Sequence, residues 1–196
     1  MDKEEYEDFA KEIARLLSEK DFRKILKEEA NKKFDGDYDI LFSNFKNVQF
    51  KSKKIEDFIT SSNVARANEK LNISIPILIE NWNESKQEPL VAVAIGVVEK
   101  ETKFLKAFDS KGKSYILDAN IEPNVPVIII GNNERMNYKE EIKKNKSART
   151  SGNYEKITWL KCPNLSDIES WYFGAPELRF DGVVYNNDFS AAFQAF

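Results

Sequence analysis

The feature that most constrains this chain is a change of hydrophobic period near Asn72. Ahead of it, apolar residues recur at three- and four-residue steps; behind it they gather in short β-branched runs. A chain patterned in this way must bury a helical stripe against a sheet.

Tyr6, Phe9, Ala10, Ile13, Leu16 and Leu17 fall on one face of a helix ending near Lys20. Asp21 is placed to cap a second helix that starts at Phe22, and Phe22, Ile25, Leu26, Ala30 and Phe34 carry the apolar face onward. Together they predict a helical hairpin. Ile40, Leu41, Phe42 and Phe45 suit a further helical turn or a short packing segment. Ser52 is a candidate cap for a third helix from Lys53 toward Leu71, with Ile55, Phe58, Ile59, Ala65 and Ala67 on its apolar side. Ser61, Ser62 and Asn63 weaken the middle of that helix, because their side chains compete for backbone hydrogen bonds.

Strand character begins at 72–79, where Pro76 implies a sheet edge or a bulge. The run Leu90–Val98 is apolar, small and branched, and predicts a central strand. Phe104–Phe108 and Ser114–Leu117 flank Asp109-Ser110-Lys111-Gly112, whose Asp and Gly suit a type I hairpin turn with a bulge. Val127–Ile130 is another buried strand, closed by Gly131. The fold class expected is therefore α+β, an N-terminal helical hairpin plus a third helix packed on a mostly antiparallel β module. The corresponding divisions are a helical subdomain at 1–71, the β module at 72–131, a mobile polar loop at 132–156, and a β segment at 157–196 leading toward a further, missing C-terminal domain. The aromatic tail ending at Phe196 supports that last expectation.

Composition excludes several chemistries. Histidine is absent, so the chain has no Ser-His or Cys-His pair, no imidazole base and no histidine-ligated zinc. Its one cysteine, Cys162, reads as a small buried hydrophobe. With 30 basic and 33 acidic residues there is no basic footprint for nucleic acid, and Lys143, Lys144 and Lys146 stand beside Glu140 and Glu141. No apolar run approaches a membrane span, and Met1–Glu5 does not resemble a leader. Phosphate-binding glycine loops and the G-x-S-x-G elbow are missing. Sequons at Asn72, Asn83, Asn145 and Asn164 occur near chance in so Asn-rich a chain and do not fix a compartment.

Two stretches remain as candidate sites. Asp35, Asp37 and Asp39 alternate as calcium ligands do, but Ile40 stands where the loop's tight-turn Gly belongs and Lys46 where its bidentate Glu belongs. A solvated turn is expected there, with calcium as the alternative and no other cofactor. The second stretch is Trp171-Tyr172-Phe173-Gly174-Ala175-Pro176-Glu177, in which Trp171, Tyr172, Phe173, Pro176 and Glu177 form a candidate interaction surface. The competing reading puts the rings into the core. Glu169 and Glu177 would suit carboxylate-only glycoside chemistry beside sugar-stacking rings, but no spacing singles out an acid pair and no catalytic residue is assigned.

The residues Trp159–Leu165 and Ile168–Arg179 carry a pattern that resembles an uncharacterised family of bacterial secreted proteins and lipoproteins. In that family a Gly-Ala-Pro-Glu segment like Gly174–Glu177 precedes a C-terminal β domain. Phe34–Asp39 and Pro126–Ile130 are similar to its N-terminal part. The resemblance implies an exported protein, periplasmic or on the outer surface of a bacterial cell, with a removed leader, and it transfers no activity. The expected function is that of a non-enzymatic interaction or packing domain within a larger protein, contacting the missing C-terminal domain. The alternatives are a pro-region-like cover for that domain and a carbohydrate-binding or carbohydrate-active protein, with a glycan or another protein as partner.

Overall fold

A computed structural model describes residues 3–60, 68–98, 101–133 and 169–174, together with the backbone of 181–185 and 191–195. The helix α1 (Lys3–Leu16) buries Tyr6, Phe9, Ala10, Ile13 and Ala14, following the expected stripe. The next helix, α2 (Lys20–Ala30), buries Phe22, Arg23, Leu26 and Ala30. It begins two residues earlier than expected, at Lys20 and not Phe22. Glu19 takes the N-cap position in an extended conformation, so Asp21 lies inside the first turn, where its charge complements the helix dipole. Beyond the C-cap Asn31 the chain turns through Lys33 at φ 46°, and Phe34 is left 48% exposed, off the apolar face.

Strand β1 (Asp39–Leu41) runs straight into α3 (Phe42–Phe45), a single turn that buries both of its phenylalanines. The helix expected from Lys53 is replaced by something shorter. Strands β2 (Gln49–Phe50) and β3 (Lys53–Lys54) pair as a hairpin, followed by a 3-10 turn at Ile55–Phe58. Lys51 and Ser52 both have positive φ, 46° and 63°, which makes the hairpin connection a type I′ turn. Ser52 is thus a turn residue and caps nothing. The stretch 61–67 lies outside the described residues.

Five further strands complete the main sheet: β4 (Leu71–Ser74), β5 (Leu90–Val93), β6 (Phe104–Phe108), β7 (Ser114–Asp118) and β8 (Val127–Asn132). Their order is β1-β4-β8-β5-β6-β7, antiparallel throughout except for the β5–β8 pair. The fold is α+β. The strand expected over Leu90–Val98 is central but ends at Val93, and Pro76, expected at a sheet edge or a bulge, instead stands just past the end of the interior strand β4, where no ladder bond is asked of it. The strands β9 (Asp181–Tyr185) and β10 (Ala191–Ala195) form a separate antiparallel hairpin.

The sheet is packed on both faces. On one face α1, α2 and α3 meet Leu71, Ile73, Val91, Val93, Phe108, Ile128 and Ile130, and Phe9 and Phe42 stack edge-on with centroids 4.9 Å apart. The helices and the sheet thus share one core. On the other face Ala92, Leu105, Ala107, Val127 and Ile129 meet Ile77, Ala119, Trp171 and Tyr172. The link from β7 to β8 must cross β6 and β5, and its two ends, Ala119 and Val127, both join this second cluster. No described helix is long and apolar enough to cross a membrane.

Candidate interaction surface

Trp171 and Tyr172 are drawn into the second core cluster, at 8% and 1% exposure, and Phe173 packs against it half-buried. Their rings pack in sequence, Trp171 against Tyr172 at 5.7 Å and Tyr172 against Phe173 at 4.7 Å. The indole Nε1 of Trp171 donates to the Asp118 carbonyl at 3.2 Å, which ties the turn 171–173 to the end of β7. A ring that stacks on a sugar needs an open face, and these two rings spend theirs on the sheet. The cost of this burial falls on the Tyr172 hydroxyl, which has no hydrogen-bond partner among the described residues. Pro176, Glu177, Cys162 and the polar stretch 134–156 lie outside the described residues.

The aspartates at 35–39 converge partly. Buried Asn133 Nδ2 donates to Asp35 Oδ2 at 2.6 Å and to Asp39 Oδ2 at 3.2 Å, linking the turn after α2 to the end of β8. Asp35 Oδ1 accepts from the Asp37 backbone N–H at 3.3 Å. Among the described residues no three acidic, cysteine or histidine side chains are grouped to hold a metal ion. One amide nitrogen thus contacts a carboxylate oxygen of each of Asp35 and Asp39.

Among the described residues, exposed large apolar side chains gather around β6, β7 and the connection that follows, with Phe34 and Val98 exposed singly elsewhere. Phe104 is 61% exposed and Ile116 67%. The register sets Lys106 opposite Ile116 and Phe104 opposite Asp118, so Phe104 and Ile116 are diagonal neighbours on the helix-side face. The nearer helix stops short of them. Lys106 reaches the other way, ion-paired with Glu7 of α1 and lying 5.4 Å over the Phe108 ring. Ile121 and Val125, on the connection that follows β7, are also exposed. No pattern in the sequence distinguished Ile116 from the buried isoleucines; its exposure follows from β7 being last in the sheet and beyond the reach of α1.

The turn that carries this edge is rigid. Asp109 N–H donates to the Lys113 carbonyl and Gly112 N–H to the Asp109 carbonyl, with Gly112 at φ 82° as a bulge residue. The Asp109 carboxylate accepts from the N–H groups of Lys111 and Lys113 and from the Tyr115 hydroxyl. Desolvation pushes the Asp109 carboxyl upward, but these three bonds and the Lys113 charge outweigh it and hold its pKa below the usual value. Glu84 is likewise held low, first by its own backbone N–H and then by Lys27.

A two-layer α+β domain whose second face is closed by an aromatic turn, and whose sheet ends in an exposed apolar strand, is the class these features define. The chain belongs to the family described as protein of unknown function (DUF3103), whose model matches residues 3–163. The match takes in the described helices and the whole six-stranded sheet; Trp171–Phe173, β9 and β10 lie beyond it. No curated protein and no solved structure matches the chain.

Proposed function

We propose that this domain acts in interaction or packing within a larger assembly, with no reaction of its own, and that it belongs to an exported bacterial protein. The observation that carries the interaction reading is the exposed apolar pair of Ile116 on the outer strand β7 and its diagonal neighbour Phe104 on β6, in a sheet otherwise packed on both faces. Large apolar side chains grouped at a sheet edge mark a surface that another chain covers. Export is supported by the sequence resemblance of Trp159–Arg179 to secreted proteins and lipoproteins.

The test is hydrogen exchange on the β7 segment, comparing the purified chain with the same protein assembled in an extract of its native host. Slower exchange at 114–118 in the assembled protein is the expected result. Equal, fast exchange under every condition would end the interaction reading. A periplasmic reporter fused after the complete reading frame tests export, and a cytoplasmic signal would end that part.

A further inference from the structure

We propose that the β7 edge pairs with β7 of a second copy of this chain, in antiparallel register about a twofold axis at Tyr115. This inference rests on the interaction reading above and names the partner. The pairing with β6 fixes which backbone groups point outward. Asp109 N–H donates to the Lys113 carbonyl and Ala119 N–H to the Lys103 carbonyl, so the odd-numbered residues of β7 face β6. Ser114, Ile116 and Asp118 therefore turn their N–H and carbonyl groups away from the sheet. The Asp118 carbonyl already accepts from the Trp171 indole, an outboard contact consistent with that orientation. The groups left for another strand are those of Ser114 and Ile116, together with the Asp118 N–H.

That remainder selects one register. In an antiparallel pair centred on Tyr115, Ser114 of one copy stands opposite Ile116 of the other, and each exchanges N–H and carbonyl with its partner. All of the free groups at 114 and 116 are then used, and the carbonyl held by Trp171 is left alone. The same register sets Asp118 opposite Gly112, where nothing stands within 4 Å of the position a side chain would take. Room is thus left beside the Trp171 contact. On the face away from the helices Tyr115 meets its own equivalent in the close, non-hydrogen-bonded kind of cross-strand pair.

Charge favours a copy of the same strand over a strand of arbitrary sequence. The turn end of β7 carries Lys111 and Lys113 against one aspartate, Asp109, whose carboxylate is committed to the turn. The far end carries Asp118 and Glu122 with no cation on the strand or in the following residues to 122. Antiparallel self-pairing lays the basic end of each copy beside the acidic end of the other, twice over. A parallel pairing would set like against like. The opposite edge of the sheet is unsuited to the same use, because β1 has only three residues and passes directly into α3.

The interface is small, so the dimer is weak, with a Kd on the order of 10 µM. Sedimentation velocity of the full chain over a concentration series reads it directly. Ile116→Pro removes an outward N–H and leaves the β6 ladder intact; it should raise the Kd about 30-fold or more by breaking two inter-copy bonds. Lys111→Glu with Lys113→Glu should also weaken association, and lowered salt should deepen that loss. Far-UV circular dichroism and the urea midpoint confirm that each variant is folded. A chain that stays monomeric at about 300 µM, well above the expected Kd, overturns the inference, as does a dimer that Ile116→Pro leaves unchanged. If β7 is nonetheless protected from exchange in the native-host extract, the interaction reading survives and only the second copy is rejected.

Discussion

Arg23 holds the corner on which the helical layer depends, and replacing it gives the sharpest test of the packing described. Its side chain lies on α2 at 5% exposure and has no carboxylate in close contact, since Glu88 is 3.9 Å away. Instead Nη1 donates to the carbonyls of Leu17 at 2.5 Å and Ser18 at 2.9 Å, and Nε donates to the carbonyl of Glu84 at 2.6 Å. Leu17 and Ser18 close α1, where helix carbonyls have no partner of their own. One guanidinium thus satisfies the end of α1, joins it to α2 and fastens the loop at 84. Its charge also suits the negative end of the α1 dipole.

Arg23→Ala leaves the buried Leu17 carbonyl unmet, which costs about 1–3 kcal/mol. Ser18 and Glu84 are partly buried and can recover water, so together they add roughly 1 kcal/mol. The expected loss is about 3 kcal/mol, a large share of a typical total of roughly 5–15 kcal/mol. In a chain of this size that corresponds to about 6–12 °C in Tm. Arg23→Lys should recover about half, because one ammonium cannot reach both the helix end and Glu84. Urea unfolding followed by circular dichroism measures this, with an unchanged slope as the check on two-state behaviour. A loss below about 1 kcal/mol for Arg23→Ala, within the range of ordinary surface changes, would refute the reasoning. Full rescue by lysine would show that charge alone matters and the fork does not.

Ser52→Gly should stabilise by about 0.5–1 kcal/mol, since Gly adopts the left-handed conformation at that turn position without strain; the urea midpoint reads it, and a loss would mean that the I′ turn is misassigned. Trp171→Ala should cost about 3–5 kcal/mol as a buried aromatic truncation; an unchanged midpoint would place the ring outside the core. Asp109 and Glu84 have lowered folded-state pKa values, so each contributes stability above its unfolded value and loses it as pH falls through the lower, folded value. The urea midpoint should therefore drop from about pH 5 downward, and Asp109→Asn should flatten part of that slope. A steeper slope in the variant would contradict the sign. Calcium should not raise Tm relative to chelator, because the Asn133 amide already bridges Asp35 and Asp39.

Much of the architecture was legible in the sequence where periodicity and turn chemistry agreed. The α1 stripe, the 109–112 turn with its bulge glycine and the central position of Leu90–Val93 all follow from local residue choice. The sequence suggests a helix from Lys53 because Ile55, Phe58 and Ile59 keep helical spacing, but they do so over less than two turns. The preceding Lys51-Ser52 enters a hairpin without the Asn or Gly that usually signals one. Asp21 resembles a cap in the sequence, whereas Glu19, which holds that position, makes no side-chain capping bond. Arg23 was invisible as a site, since its partners are backbone carbonyls and no sequence pattern encodes them.

The aromatic turn at 171–173 and the bare edge at β7 are linked by one contact. A sheet facing helices on one side needs a second cover, and here part of it arrives from beyond the residues that the family model matches. By donating to Asp118, Trp171 closes the last outward carbonyl of β7 while leaving Ser114 and Ile116 open. The same ring that completes the core thereby limits how any added strand can align. An aromatic segment whose composition suggests a docking surface can thus govern docking from inside the fold, by setting the register of the edge it touches.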